Sequence, residues 1–141
     1  TGISNVAVGR VALGASTTAS SNIAVGEAAM AANTTGGDNT AVGGNALTAN
    51  TTATNNTGIG KDALKANTTG AQNTAVGALA LDANTTANDN VAIGFGALTA
   101  NTTGAENTAI GGYGALAANT TGGNNTAVGR LALWKTTQPL V

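Results

Sequence analysis

Asn39-Thr40-Ala41-Val42-Gly43-Gly44-Asn45-Ala46-Leu47-Thr48-Ala49-Asn50-Thr51-Thr52-Ala53-Thr54-Asn55 is the stretch that decides how this chain folds. It is one copy of a 17-residue unit that fills almost all of the 141 residues. Copies open at Asn5, Asn22, Asn39, Asn56, Asn73, Asn90, Asn107 and Asn125; six of the seven spacings are 17 and the last is 18. A period this strict is the signature of a repeat architecture, in which each unit buries its apolar face against its neighbours.

Numbering each copy from its first Asn separates fixed from variable positions. Position 2 is Thr, Val or Ile, position 3 is Ala (Gly58 once) and position 4 is Val or Ile. Position 5 is Gly in every copy: Gly9, Gly26, Gly43, Gly60, Gly77, Gly94, Gly111 and Gly129. Positions 6 and 7 vary, and Ala-Leu-x-Ala follows at 8 to 11, then Asn-Thr-Thr-Gly/Ala and two loose residues. The β-branched residues predict a short strand at positions 2 to 4, and the Gly a corner that only a residue without a side chain turns freely. Positions 8 to 11 read as a second strand, with Leu and Ala 11 inward and position 10 outward. A helix over Gly26–Ala32 is too short to repay its nucleation before the next Gly and Asn. Stacked coils are the better reading, with parallel strands about 4.8 Å apart and a rod of roughly 38 Å. Asn at positions 1 and 12 then forms side-chain ladders from coil to coil.

If positions 2, 4, 9 and 11 face inward, position 3 faces out. That places Ala7, Ala24, Ala41, Gly58, Ala75, Ala92, Ala109 and Ala127 on a smooth outer strip suited to a second chain. The alternative is that Ala is merely tolerated on an exposed sheet.

Composition points the same way. The net charge is −1 and 8% of residues are charged, which argues against nucleic acid and anionic membranes as partners. Aromatics are 2%, too few large side chains for a thick globular core. No apolar run approaches a membrane span, and cysteine is absent. No signal peptide or initiator Met is visible; Thr1–Ser4 read as the tail of an earlier copy, so the chain is expected to be a processed product or a piece of something longer.

Two copies depart from the pattern. The 18-residue copy carries Gly112-Tyr113-Gly114 at its variable corner, where a bulge costs least. The last copy ends in Trp134 and Lys135–Val141, and residues 134–141 read as a terminal cap or connection, with Trp134 a further candidate for chain–chain contact.

The run Asn90-Val91-Ala92-Ile93-Gly94, with Asn73-Thr74-Ala75-Val76-Gly77, resembles the head repeats of trimeric autotransporter adhesins. The longer phrase NTAVGxxALxANTTG is similar to repeats of phage tail fibres and bacterial surface fibres. The resemblance covers Asn5 to about Leu133. It implies a left-handed parallel β-roll with three chains packed side by side. The coil here is a few residues longer, and the Ser that follows Asn in the adhesin motif is missing.

Little in the chain suggests chemistry. Without His or Cys, the commonest base and the commonest activated nucleophile are missing. The six acids, Glu27, Asp38, Asp62, Asp82, Asp89 and Glu106, are scattered; Asp38, Asp89 and Glu106 share position 17, but Asn55 and Gln72 interrupt a Ca²⁺-binding column. Gly58-Ile59-Gly60 and Gly94-Phe95-Gly96 lack the third Gly and following helix of a phosphate loop. Asn33-Thr34-Thr35 and its counterparts match a glycosylation sequon, yet stacked glycans would collide. Ice binding needs two outward threonine columns on one face, and the adjacent threonines at 13 and 14 turn only one outward. Phe95, Tyr113 and Trp134 read as too sparse for a stacking platform on sugar or nucleic acid, which leaves the variable corners as a place for a receptor without selecting one.

The sequence thus predicts a single all-β domain over residues 1–141, a parallel β-solenoid of about eight coils, assembled as a homo-oligomer. The expected function is structural or adhesive: a segment of an extracellular fibre on a cell surface or virion, with neither enzymatic activity nor a metal or cofactor. A subunit stacking end to end into a filament is the alternative within that class. An ice-binding solenoid is the alternative outside it.

Overall fold

The computed structural model describes residues 2–134. Eight three-residue strands follow one another: β1 (Val6–Val8), β2 (Ile23–Val25), β3 (Thr40–Val42), β4 (Thr57–Ile59), β5 (Thr74–Val76), β6 (Val91–Ile93), β7 (Thr108–Ile110) and β8 (Thr126–Val128). They form one parallel sheet in chain order, and no helix occurs among the described residues. Register is position on position, Val6 beside Ile23, Ala7 beside Ala24, Val8 beside Val25, and so on to β8. The chain is a β-solenoid, and its period sets its register.

Each strand ends at the position-5 glycine. At Gly60 φ is +132°, and a Cβ there would lie 2.6 Å from the Gly77 carbonyl carbon and oxygen of the next coil. Two constraints coincide at this corner, a backbone conformation closed to L side chains and a backbone-to-backbone approach that leaves no room for one.

The expected second strand at positions 8 to 11 is not a strand. It is a run of overlapping turns, in which Ala46 N–H donates to Gly43 O, Thr48 N–H to Asn45 O and Asn50 N–H to Leu47 O. Positions 7 and 9 are left-handed, with φ between 49° and 54° at the Leu or Met of position 9 in all eight coils. Non-glycine residues there cost about 1–2 kcal/mol each, and the stack over-determines them. Leu47 N–H reaches Ala63 O of the next coil at 3.0 Å, while Asn45 N–H reaches Glu27 O of the previous one at 2.9 Å. The turned backbone reverses which neighbours point inward: in the six inner coils the Ala of position 8 and the Leu or Met of position 9 are buried and the Ala of position 11 only half so.

The core is correspondingly thin. Ala 3 from the sheet meets Ala 8 and Leu 9 from the turned arm, coil after coil, with Met30 replacing Leu once. Filling so narrow a space takes methyl groups on one wall and one branched side chain on the other.

Two asparagine ladders close the third side. From Asn22 through Asn39, Asn56, Asn73, Asn90 and Asn107 to Asn125, each main-chain N–H donates to the preceding Asn Oδ1, beginning with Asn5 as acceptor, as Asn39 does to Asn22 at 3.0 Å. At position 12, Asn50 Nδ2 donates to Asn33 Oδ1 at 3.0 Å, and the pattern runs on to Asn119. The ladders meet at the position-15 carbonyl of Gly36, Ala53, Gly70, Ala87 and Gly122. Gly70 O accepts from Asn56 Nδ2 at 2.9 Å and from Asn67 Nδ2 at 2.8 Å. No buried side-chain nitrogen or oxygen among the described residues lacks a partner. Thin apolar filling is thus joined to a fully satisfied polar seam, which rigidifies because every member is bonded.

Candidate functional site

The expectation for the Ala column is overturned. Ala24, Ala41, Ala75, Ala92 and Ala109 are wholly buried, Ala127 nearly so, and Gly58 is buried with them; only Ala7, in the first coil, is exposed. A Cβ at Gly58 would touch the Leu47 side chain at 3.4 Å, so position 3 points at the opposite arm, not at a second chain. The reason is steric. The gap between strand and turned arm accommodates a methyl but not a β-branched side chain, so strand alternation sends positions 2 and 4 out.

The outer face therefore carries two β-branched columns. Position 4 runs Val8, Val25, Val42, Ile59, Val76, Ile93, Ile110 and Val128 along the sheet, half-buried by lateral neighbours or exposed. Position 2 runs beside it as Val6, Ile23, Thr40, Thr57, Thr74, Val91, Thr108 and Thr126. The face bears no charged side chain.

The threonine turn is used differently at its two positions. Thr34 Oγ1 donates to Thr51 O at 3.1 Å, and position 13 repeats this bond along the stack, whereas position 14 is exposed throughout.

A second feature sits at the variable corners of the last four coils. Phe95, Tyr113 and Trp134, all the aromatic residues of the chain, converge there, so their wide spacing in the sequence does not keep them apart. Phe95 and Tyr113 stack with ring centroids 5.6 Å apart and planes 24° from parallel. The Arg130 guanidinium carbon lies 5.8 Å from the Tyr113 ring centroid, within cation–π range. With Leu79, Thr99 and Leu131 the rings line a groove of about 310 Å³. The signal was legible in principle. Wrapping the chain on its period puts position 6 of one coil, the extra residue of the next and position 10 of the last on neighbouring levels of one side.

Charged groups add little. Arg10 and Glu27, both position 6, form an exposed ion pair, with Arg10 Nε 3.1 Å from Glu27 Oε1. The hydrogen bond from Arg10, and then its charge, hold the Glu27 carboxyl below its usual range and the guanidinium above its own. Asp62 sits beside Lys65 at 3.5 Å and accepts from Asn45 Nδ2 at 3.1 Å. Among the described residues, no three His, Cys, Asp or Glu are grouped to hold a metal ion, and no helix is long and apolar enough to cross a membrane. Of the expected terminal cap, Trp134 lies in the groove, while Lys135–Val141 fall outside the described residues.

No protein-family model, curated protein or solved structure matches the chain.

Proposed function

We propose that this solenoid is a structural segment of a homo-oligomeric extracellular fibre, with three chains packed through the sheet face that carries positions 2 and 4. The observation behind this reading is the eight-level run of uncharged, outward β-branched side chains on one parallel sheet. The core of one coil is only a methyl and a Leu deep, so covering that face would add apolar burial to what the coil interior supplies. The resemblance to adhesin-head and tail-fibre repeats supplies the number of chains and the setting, a cell surface or virion. Function in such a fibre is mechanical: a stiff, protease-resistant spacer.

Light scattering of the purified chain tests this. A discrete mass near three times 13.3 kDa is expected, and a stable monomer would remove the reading. Long unbranched threads would instead favour end-to-end stacking, for which β1 and β8 leave the open edges of the sheet.

One observation favours a reading of another class. Thr40, Thr57, Thr74, Thr108 and Thr126 share the outward face with the Val/Ile column, at the regular spacing of neighbouring strands. A flat, rigid array of hydroxyls and methyls is what ice binding uses, and these threonines are not the pair at positions 13 and 14. Ice binding requires the face to be bare, so thermal hysteresis from a monomer would select this reading and an oligomer without hysteresis would remove it.

A further inference from the structure

We propose that the aromatic groove at the corners of the last four coils is a carbohydrate site that takes a hexopyranose ring of a glycan. This goes beyond the fibre reading and does not depend on it, because the groove lies at the variable corners and not on the strand columns.

The repeat itself marks the place. Only one of the seven spacings departs from 17, and the extra residue is Tyr113. In the preceding coils the position-7 N–H reaches the position-6 carbonyl of the coil before, as Leu79 does to Lys61 and Gly96 to Ala78. In the long coil Gly114 makes that bond, to Phe95 O at 3.1 Å, so Tyr113 is the surplus residue, bulged outward at φ 71°. Its ring lands on Phe95. The chain breaks its period once, and the result is an aromatic stack.

The shape and chemistry of the groove select the ligand class. Phe95, Tyr113 and Trp134 are each about half exposed, at 49, 60 and 46%, so ring surface is open to solvent rather than sealed in a core. A pyranose presents a face of C–H bonds carrying slight positive charge, which suits the negative face of an aromatic ring. Its hydroxyls then need polar partners at the edge. Thr99 lines the groove, and its hydroxyl donates to Asp82 Oδ1 at 2.6 Å, which orients the Thr99 oxygen as an acceptor. Arg130, at the Tyr113 ring, supplies donors. One acid and one base leave the site without the positive field a phosphate or nucleic acid needs. A volume of about 310 Å³ is at the lower end for ligand pockets and suits one or two sugar rings.

The single tryptophan of the chain lies in this groove, so its fluorescence reads occupancy directly. The intact chain is applied to immobilised glycans ending in galactose, glucose, mannose or N-acetylglucosamine, and the free sugar of any that retains it is titrated while Trp134 emission is followed. Retention on at least one glycan is expected, with a saturable emission change and a Kd of about 1 mM. Tyr113→Ala, Phe95→Ala and deletion of Tyr113, which restores a 17-residue coil, should each weaken binding about tenfold or more without moving the unfolding midpoint by the same order. Trp134→Phe should keep binding on the immobilised glycan and lose the emission signal. Failure of every glycan to retain the chain would overturn the proposal. So would equal retention by the Tyr113 deletion, or tighter binding of oleate or a polyproline peptide than of any sugar. Oligomeric mass is measured separately, so either reading can fail alone.

Discussion

Asn73 donates twice to one atom of Asn56: its main-chain N–H and its side-chain Nδ2 reach Asn56 Oδ1 at 3.0 and 3.2 Å. Asn56 Nδ2 in turn reaches Gly70 O at 2.9 Å, and both asparagines are fully buried. One side chain thus joins two coils and closes its own.

Replacing Asn56 by Ala removes those bonds and leaves the buried Asn73 N–H without its acceptor. The expected cost is about 2–4 kcal/mol, read from denaturant unfolding. Asn56→Asp should be worse near neutral pH, because a carboxylate oxygen would face Gly70 O where the amide now donates. Burial raises the folded-state pKa of that Asp above its unfolded value of about 3.9. The variant should therefore be most stable below about pH 4, where the acid can donate, and lose stability as pH rises through the raised pKa. A pH-independent deficit would contradict this account of the seam.

Two glycines two positions apart in the same coil should respond oppositely to Ala. Gly60→Ala forces a side chain into φ +132° and against Gly77, and should destabilise by about 3 kcal/mol or more. Gly58→Ala restores the residue found at position 3 in every other coil, and its Cβ meets Leu47 and Ala63 at 3.4 Å, ordinary contact. It should stabilise by roughly 0.5–1 kcal/mol. Thermal melts of the two variants side by side give the comparison.

Val11 occupies the left-handed position 7 at φ 54° although it is β-branched, and it is about half exposed. Asn tolerates that conformation far better. Val11→Asn should raise stability by about 1 kcal/mol, a shift of about 2–4 °C in Tm for a chain of this length. No change, or a fall, would mean the turned arm is less strained than its dihedrals imply.

On the sheet face, Ile93→Lys places a charge within the position-4 column. It should lower the mass seen by light scattering and leave the circular dichroism spectrum intact, since Ile93 is outside the core. Ala92→Lys, one residue away and wholly buried, should unfold the coil instead.

The period, the parallel register, the glycine corners and both asparagine ladders were legible in the chain as it is written. Each repeats every 17 residues, and stacking like on like is the only arrangement that uses such a repeat. What the sequence did not decide was which way the strand faces. Val-Ala-Val alternation is equally consistent with either face inward, and apolar preference alone argues for the larger residues inside. Only the distance between the strand and the turned arm resolves it, and that distance is set by the left-handed residues at positions 7 and 9, which no propensity scale assigns to Leu. The aromatic groove has the same origin. Phe95, Tyr113 and Trp134 are 18 and 21 residues apart along the chain, and only the winding of the coil, with one residue bulged at its corner, brings them together.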